Sequence, residues 1–319
     1  MKIMCTLGAV LFFCINLYSQ ATESASQKPM QDTAYPFPVK RMLLNDTLEI
    51  AYMDEGTGAQ TLLFIHGLGS YAPAWNKNLA ALRSDYRCIA LDLPNYGLSQ
   101  KGDFPATMSY FATTIEGFVK ALNLQNIILV GHSMGAQIAL QVALNQKVPV
   151  GKLVLLAPAG FETFTEGEVQ WFGQMFNPLI LKAMPTEQIR KNFDLNFYGN
   201  TLPEDAQFMY EDRLDLMEQV EDYNLYCNMI PKCVMGMLNE PVFNRLVQIK
   251  QPTLVLFGKE DLLIPNRYLH PDQSPESVAK AGTAQLPKGE LQLLSPCGHF
   301  IQWDCAAEVN GAIKVFLQK

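Results

Sequence analysis

One stretch constrains this chain more than any other: Ile127-Ile-Leu-Val-Gly-His-Ser-Met-Gly-Ala136. It opens as a β-branched apolar run and passes through a tight turn. It continues into Ala136-Gln-Ile-Ala-Leu-Gln-Val-Ala-Leu144 at helical spacing. A continuous apolar strand that feeds directly into an amphipathic helix is the building unit of a parallel sheet covered on both faces. The turn itself, Gly131-His132-Ser133-Met134-Gly135, fits G-x-S-x-G. A serine raised on a sharp strand-to-helix turn needs neighbours two positions away that carry no side chain. Five-residue matches arise by chance, so the weight lies in the strand before and the helix after.

The surrounding chain repeats the same alternation. Val39 to Leu44 and Leu48 to Met53 read as two strands joined at Asn45-Asp46. Thr61 to His66, Arg87 to Asp92 and Lys152 to Ala157 are apolar strands, with helices expected over Ala74 to Leu82 and Met108 to Leu122. From Phe161 to Leu246 the rhythm breaks. Helical patterns over Val169 to Met184, Glu204 to Val220 and Val242 to Val247 replace the strands. The sheet resumes at Pro252 to Gly258 and Leu291 to Leu294, and Ala306 to Leu317 is a final helix. His270 to Gly289, rich in Pro, Ser and Gly, is expected at the surface with one short helix. The fold class expected is α/β, a mostly parallel eight-stranded sheet flanked by helices with an inserted helical cap. Its division is a signal peptide over 1–21, a flexible leader over 22–36, core over 37–160, cap over 161–246 and core again over 247–319.

The N-terminal reading rests on Lys2, the apolar stretch Ile3 to Leu17 and the small residues Ser19-Gln20-Ala21. Together they have the make-up of a secretory signal peptide. A retained anchor is the competing reading, although a span needs about 20 apolar residues and this run is shorter. The expected location is therefore secreted or periplasmic, with no stable membrane span once the signal is removed. A net charge of −7 without a dense Lys/Arg cluster argues against nucleic acid as a partner. Cys88, Cys227, Cys233, Cys297 and Cys305 remain beyond the signal. Cys227/Cys233 and Cys297/Cys305 are each close enough to pair in an oxidising compartment. With 4 histidines and no Cys/His zinc spacing, neither a metal site nor a cofactor is expected.

A serine hydroxyl becomes a nucleophile only with a base, and an imidazole base needs an orienting carboxylate. Gly258-Lys-Glu-Asp261 and Pro296-Cys-Gly-His299 each follow an apolar strand and offer the acid and the base. Ser133, Asp261, His299 is then the chain order of the residues. Glu260 competes with Asp261, since a one-residue shift reverses the side chain; the Gly-x-x-Asp spacing favours Asp261. With these residues go His66-Gly-Leu-Gly69 and Asp92-Leu-Pro-Asn-Tyr-Gly-Leu-Ser99. In this combination and order the chain, from about Val39 to Leu317, resembles α/β-hydrolase fold enzymes of the capped, single-domain kind.

The resemblance implies that Ser133 attacks an acyl carbon, His299 takes the proton and Asp261 holds the imidazole. It implies an oxyanion hole from the backbone N–H groups of Leu68 and Met134; losing one such donor costs about 100- to 1,000-fold in rate. Asn95 stands where the family usually has Gly, and Asn tolerates a left-handed backbone. The segment between Asp261 and His299 is longer than usual. His66 and His132 read as structural, His66 supporting the oxyanion loop, with His66 also a candidate for the substrate pocket. Asp92 and Ser99 read as turn-stabilising and Cys297 as a packing residue. Trp171, Phe172, Met175 and Phe176 are candidates for the substrate pocket or, equally, for the packed underside of the cap.

The activity expected is hydrolysis of an acyl bond in a small molecule, a carboxylic ester first. Carbon–carbon bond hydrolysis, lipase or amidase chemistry would use the same residues. A ligand-binding, receptor-like protein with slow turnover is the alternative from outside enzymology. Serine at position 133 disfavours the haloalkane dehalogenases and epoxide hydrolases, which resemblance ties to Asp there.

Overall fold

The computed structural model describes residues 35–319. The expected signal peptide and most of the leader lie outside these residues. Asn45 and Asp46 take positive φ of 50° and 59°, as mirror-image hairpin turns require. They join β1 (Val39–Leu44) to β2 (Leu48–Glu55). The sheet continues through β3 (Thr61–Ile65), β4 (Arg87–Leu91), β5 (Ile127–His132), β6 (Val150–Leu156), β7 (Thr253–Gly258) and β8 (Gly289–Leu294). The described strands form one 8-stranded sheet in the order β1-β2-β4-β3-β5-β6-β7-β8. β1 pairs antiparallel with β2 and β2 with β4, and the remaining pairs are parallel.

The continuous apolar runs follow from burial on both faces. Leu63, Ile65, Leu129 and Leu155 pack into one core with α2 (Met108–Ala121), α3 (Met134–Asn145) and α9 (Pro275–Gln285). Leu62, Phe64, Val130 and Leu156 face the other way, toward α1 (Asn76–Leu82) and α11 (Ala306–Leu317). Each fully buried side chain of this size contributes about 1.5–3 kcal/mol of transfer free energy, enough across the sheet to hold the strand ends rigid beneath the site.

Between β6 and β7 lies a helical insertion: α4 (Glu166–Met175), α5 (Pro178–Lys182), α6 (Thr186–Asp194), α7 (Gln207–Glu218) and α8 (Val220–Asn239). The single helix expected over Val169 to Met184 is two. Asn177 caps a new start by accepting from the Leu179 N–H, and Pro178 opens α5. The patterns expected over Glu204 to Val220 belong mainly to α7, while α6 and α8 were not anticipated. α6 buries only Ile189 fully, and its apolar stripe is the short pair Ile189 and Phe193. α8 contains Pro231, a residue that usually marks a helix boundary. The surface segment after β7 carries an 11-residue helix, α9, capped by Ser274 and Ser277. A short α10 (Ile301–Asp304) follows β8 and precedes α11.

Candidate active site

Ser133 sits between β5 and α3 with φ 51° and ψ −117°, a conformation that costs on the order of 1–3 kcal/mol for a residue with a side chain. The surroundings hold it there. Its N–H donates to the Leu156 carbonyl at 2.9 Å, and its carbonyl accepts from Ala136 at 3.0 Å and Ala159 at 3.1 Å. The two glycines are sterically required. A Cβ at Gly131 would lie 2.5 Å from the Gly135 carbonyl oxygen, and one at Gly135 would lie 2.5 Å from that of His66. The Ser133 side chain makes no hydrogen bond to another described residue and is partly exposed.

The turns after β7 and β8 bring acid and base together. His299 Nδ1 lies 2.7 Å from Asp261 Oδ2, and both residues are buried. Asp261 Oδ1 accepts from the N–H groups of Leu263 at 2.8 Å and Ile264 at 3.0 Å. With both oxygens engaged the carboxylate is fixed in rotamer, and the proton of neutral His299 belongs on Nδ1. Nε2 is then left as the acceptor. Glu260 turns the other way and accepts from Ser295 Oγ at 2.7 Å and the Cys297 N–H at 3.0 Å.

The His299 loop is tied down on every side. Asp304 Oδ2 accepts from the N–H groups of Gly298 and Tyr198, each at 2.8 Å. A Cys297–Cys305 disulfide closes the loop, so Cys297 is a cross-link rather than a packing residue. Cys227 and Cys233 are free and buried. His132, one position before Ser133, donates from Nε2 to the His299 carbonyl at 3.0 Å, and the two rings lie 4.8 Å apart. Burial lowers the His132 imidazole well below its ordinary range.

His66 is wholly buried and structural. Nδ1 donates to the Gly67 carbonyl at 2.9 Å and Nε2 accepts from the Leu93 N–H at 3.1 Å. Burial pushes its pKa down to about 4, so it is neutral at pH 7. Beside it the backbone passes close to the serine: a Cβ at Gly67 would lie 3.3 Å from Ser133 Cβ. The next amide, Leu68, and the first helical amide after the serine, Met134, donate to no carbonyl among the described residues. Free N–H groups at a helix start are expected; Met134 directly follows Ser133, and Leu68 directly follows Gly67, whose backbone passes the serine. The Asp92–Ser99 turn braces this loop. Asp92 accepts from Tyr35 Oη at 2.6 Å, Ala72 N–H at 2.7 Å and Leu98 N–H at 2.8 Å. Asn95 takes φ 70° and accepts from the Gly102 N–H at 2.7 Å, so the turn survives without glycine.

A cavity of about 270 Å³ lies between the strand ends and the helical insertion. Its wall includes Leu68 and Tyr96 from the core, Phe193, Arg213 and Tyr226 from the insertion, and Phe300, the neighbour of His299. Of the expected pocket residues only Phe176 lines it. His66 is sealed beneath the loop, Phe172 packs against Phe164, Trp171 and Phe176, and Met175 is 51% exposed. Those three helix residues stand on α4, whereas α7 and α8 supply Arg213 and Tyr226. Arg213 Nη2 donates to the Gly69 carbonyl at 2.9 Å and its guanidinium stacks 3.9 Å over the Tyr226 ring. Among the described residues no group of three or more His, Cys, Asp or Glu is placed to hold a metal.

The sequence profile of the alpha/beta hydrolase family matches residues 62–312. The chain is 29% identical over 284 residues to a 2-hydroxy-6-oxononadienedioate/2-hydroxy-6-oxononatrienedioate hydrolase of Pseudomonas putida, covering 85% of this chain and 92% of that one. A probable hydrolytic enzyme of Pseudomonas aeruginosa superposes with a TM-score of 0.76 at 20% identity, over 89% of this chain and 95% of the other. A thermophilic esterase of Thermogutta terrifontis superposes with a TM-score of 0.71 at 21% identity, over 88% and 98%. At these identities the two structures establish the shared fold.

Proposed function

This chain belongs to the alpha/beta hydrolase family, and on that premise we propose that it hydrolyses an acyl bond, a carboxylic ester first, through Ser133, His299 and Asp261. The observation that supports this reading is the 2.7 Å contact between His299 Nδ1 and Asp261 Oδ2, which leaves Nε2 available as the base for Ser133 in this proposal. Ser133 Oγ attacks the carbonyl carbon as its proton passes to Nε2. Asp261 stabilises the imidazolium without taking the proton. The amides of Leu68 and Met134 receive the oxyanion. Collapse of the tetrahedral species expels the alcohol, which leaves with the proton from Nε2. Water, deprotonated by the same nitrogen, then attacks the acyl-enzyme and releases the acid and free Ser133.

A second reading, hydrolysis of a carbon–carbon bond next to a carbonyl, draws on the Pseudomonas putida relative, whose name states a dicarboxylate substrate. The Arg213 guanidinium in the cavity wall is a cation of the kind that would suit one. The proposed location is outside the cytoplasm: the N-terminal apolar stretch and the Cys297–Cys305 disulfide both support it.

The test is a substrate panel. p-Nitrophenyl esters of increasing acyl length should turn over, with Ser133→Ala abolishing the activity. Cleavage of a 2-hydroxy-6-oxodienoate and of no ester would replace the first reading by the second. Binding without turnover of either class would point to the receptor-like role.

A further inference from the structure

The segment Gly67–Ala72 carries the Leu68 amide, and the helical insertion grips it at two points. Arg213 Nη2 donates to the Gly69 carbonyl at 2.9 Å, one residue beyond Leu68. Tyr71 Oη donates to Asp212 Oδ2. Both partners are consecutive residues of α7, and Arg213 is itself fixed by Tyr226 of α8 through a hydrogen bond and ring stacking. The core supplies the opposing anchors, His66 Nδ1 on the Gly67 carbonyl and Asp92 Oδ1 on the Ala72 N–H. Gly69 has φ 69°, so the loop turns sharply at the first of the two α7 contacts. Within the segment the Ser70 N–H donates to the Gly67 carbonyl at 3.3 Å and the Tyr71 ring packs against Tyr35, and the two α7 contacts hold it from the side of the insertion.

We propose that α7 is a clamp on the oxyanion loop, with Tyr71, Asp212 and Arg213 as positioning residues that set where the Leu68 amide points. The inference rests on the serine-hydrolase reading and assigns the insertion a part in transition-state stabilisation besides roofing the cavity. An amide displaced by about 1 Å from a developing oxyanion loses on the order of 100-fold in rate, whereas ground-state binding depends on the cavity wall as a whole. Movement of α7 away from the core therefore disables the oxyanion hole along with opening the cavity.

The experiment uses the full chain and p-nitrophenyl acetate, whose acyl group is too small to reach far into the cavity. Tyr71→Phe removes one hydroxyl and Asp212→Leu its acceptor; Asp212→Asn still accepts from Tyr71. The clamp predicts that Tyr71→Phe and Asp212→Leu each lower kcat about tenfold or more while KM stays within about twofold. Inhibition by phenylboronic acid, which forms a tetrahedral adduct, should weaken in parallel, and Asp212→Asn should restore most of the rate. A raised KM with unchanged kcat, or an Asp212→Asn variant as impaired as Asp212→Leu, overturns the clamp. Unchanged kinetics in both impaired-contact variants overturns it too, while leaving the hydrolase reading intact. Wild-type protein inert toward every ester of the panel and toward the oxodienoate removes that reading and the clamp together.

Discussion

Ser133 holds a backbone angle of φ 51° because glycines on either side leave room for the turn and because Leu156 and Ala159 pin its peptide groups. Gly67 is as tightly placed. A methyl there would sit 2.9 Å from His132 Nδ1 and 3.3 Å from Ser133 Cβ, so Gly67→Ala should lower kcat more than it lowers thermal stability, as paired kinetics and melting curves would show. Asp261→Asn should cut kcat by roughly 10³–10⁴ with little change in fold. An amide can donate toward Nδ1, which moves the histidine proton to Nε2 and removes the base. A loss below tenfold would show that Asp261 does not orient the base. The Asp261–His299 pairing was legible in the sequence because each residue follows an apolar strand, and Glu260, which has other partners, was separable from Asp261 by spacing alone. Arg213 and Tyr226 were not legible, since nothing in a helical pattern says which face meets a cavity whose core side, Leu68 and Tyr96, lies more than a hundred positions away.

At the scale of elements, the Pro296–Cys305 loop is the part most dependent on a covalent tie. The disulfide closes a loop with a sequence separation of 8, and constraining the unfolded chain over that length is worth about 2–3 kcal/mol in the entropic account. A Cys297→Ser/Cys305→Ser protein should therefore unfold at lower denaturant concentration than wild type, and wild type in dithiothreitol should match it. Equal midpoints in oxidising and reducing buffer would contradict the prediction. The strands of the sheet were readable from their sequence because burial on both faces selects uninterrupted apolar runs such as Leu62 to Ile65. The insertion was read less well. α6 offers one buried residue, and α8 runs through Pro231, where the surrounding packing outweighs a local breaker.

At the scale of the whole molecule, the family fold places Leu68, Ser133, Asp261 and His299 after the C-terminal ends of parallel strands, and the buried histidines beneath them tie the protein's stability to pH. His66 titrates at about 4 against an ordinary value of 6.5. Below pH 6.5 the unfolded chain takes a proton there that the folded chain refuses, so this residue's contribution to stability falls as pH falls toward 4. Other buried groups, Asp92 and Glu162 among them, have raised carboxyl values and act in the opposite sense. The isolating comparison is with His66→Gln. Whatever the variant loses at pH 7, the wild-type advantage should shrink by on the order of 3 kcal/mol between pH 6.5 and 4, as urea unfolding at several pH values would show. A constant difference would mean that His66 is not held neutral by burial. The most direct test of the central reading is intact-protein mass spectrometry after treatment with a fluorophosphonate, followed by peptide mapping. The serine-hydrolase reading predicts one adduct per chain, on Ser133, formed far more slowly in His299→Ala. An unmodified Ser133, or an adduct elsewhere with ester hydrolysis abolished, would contradict it.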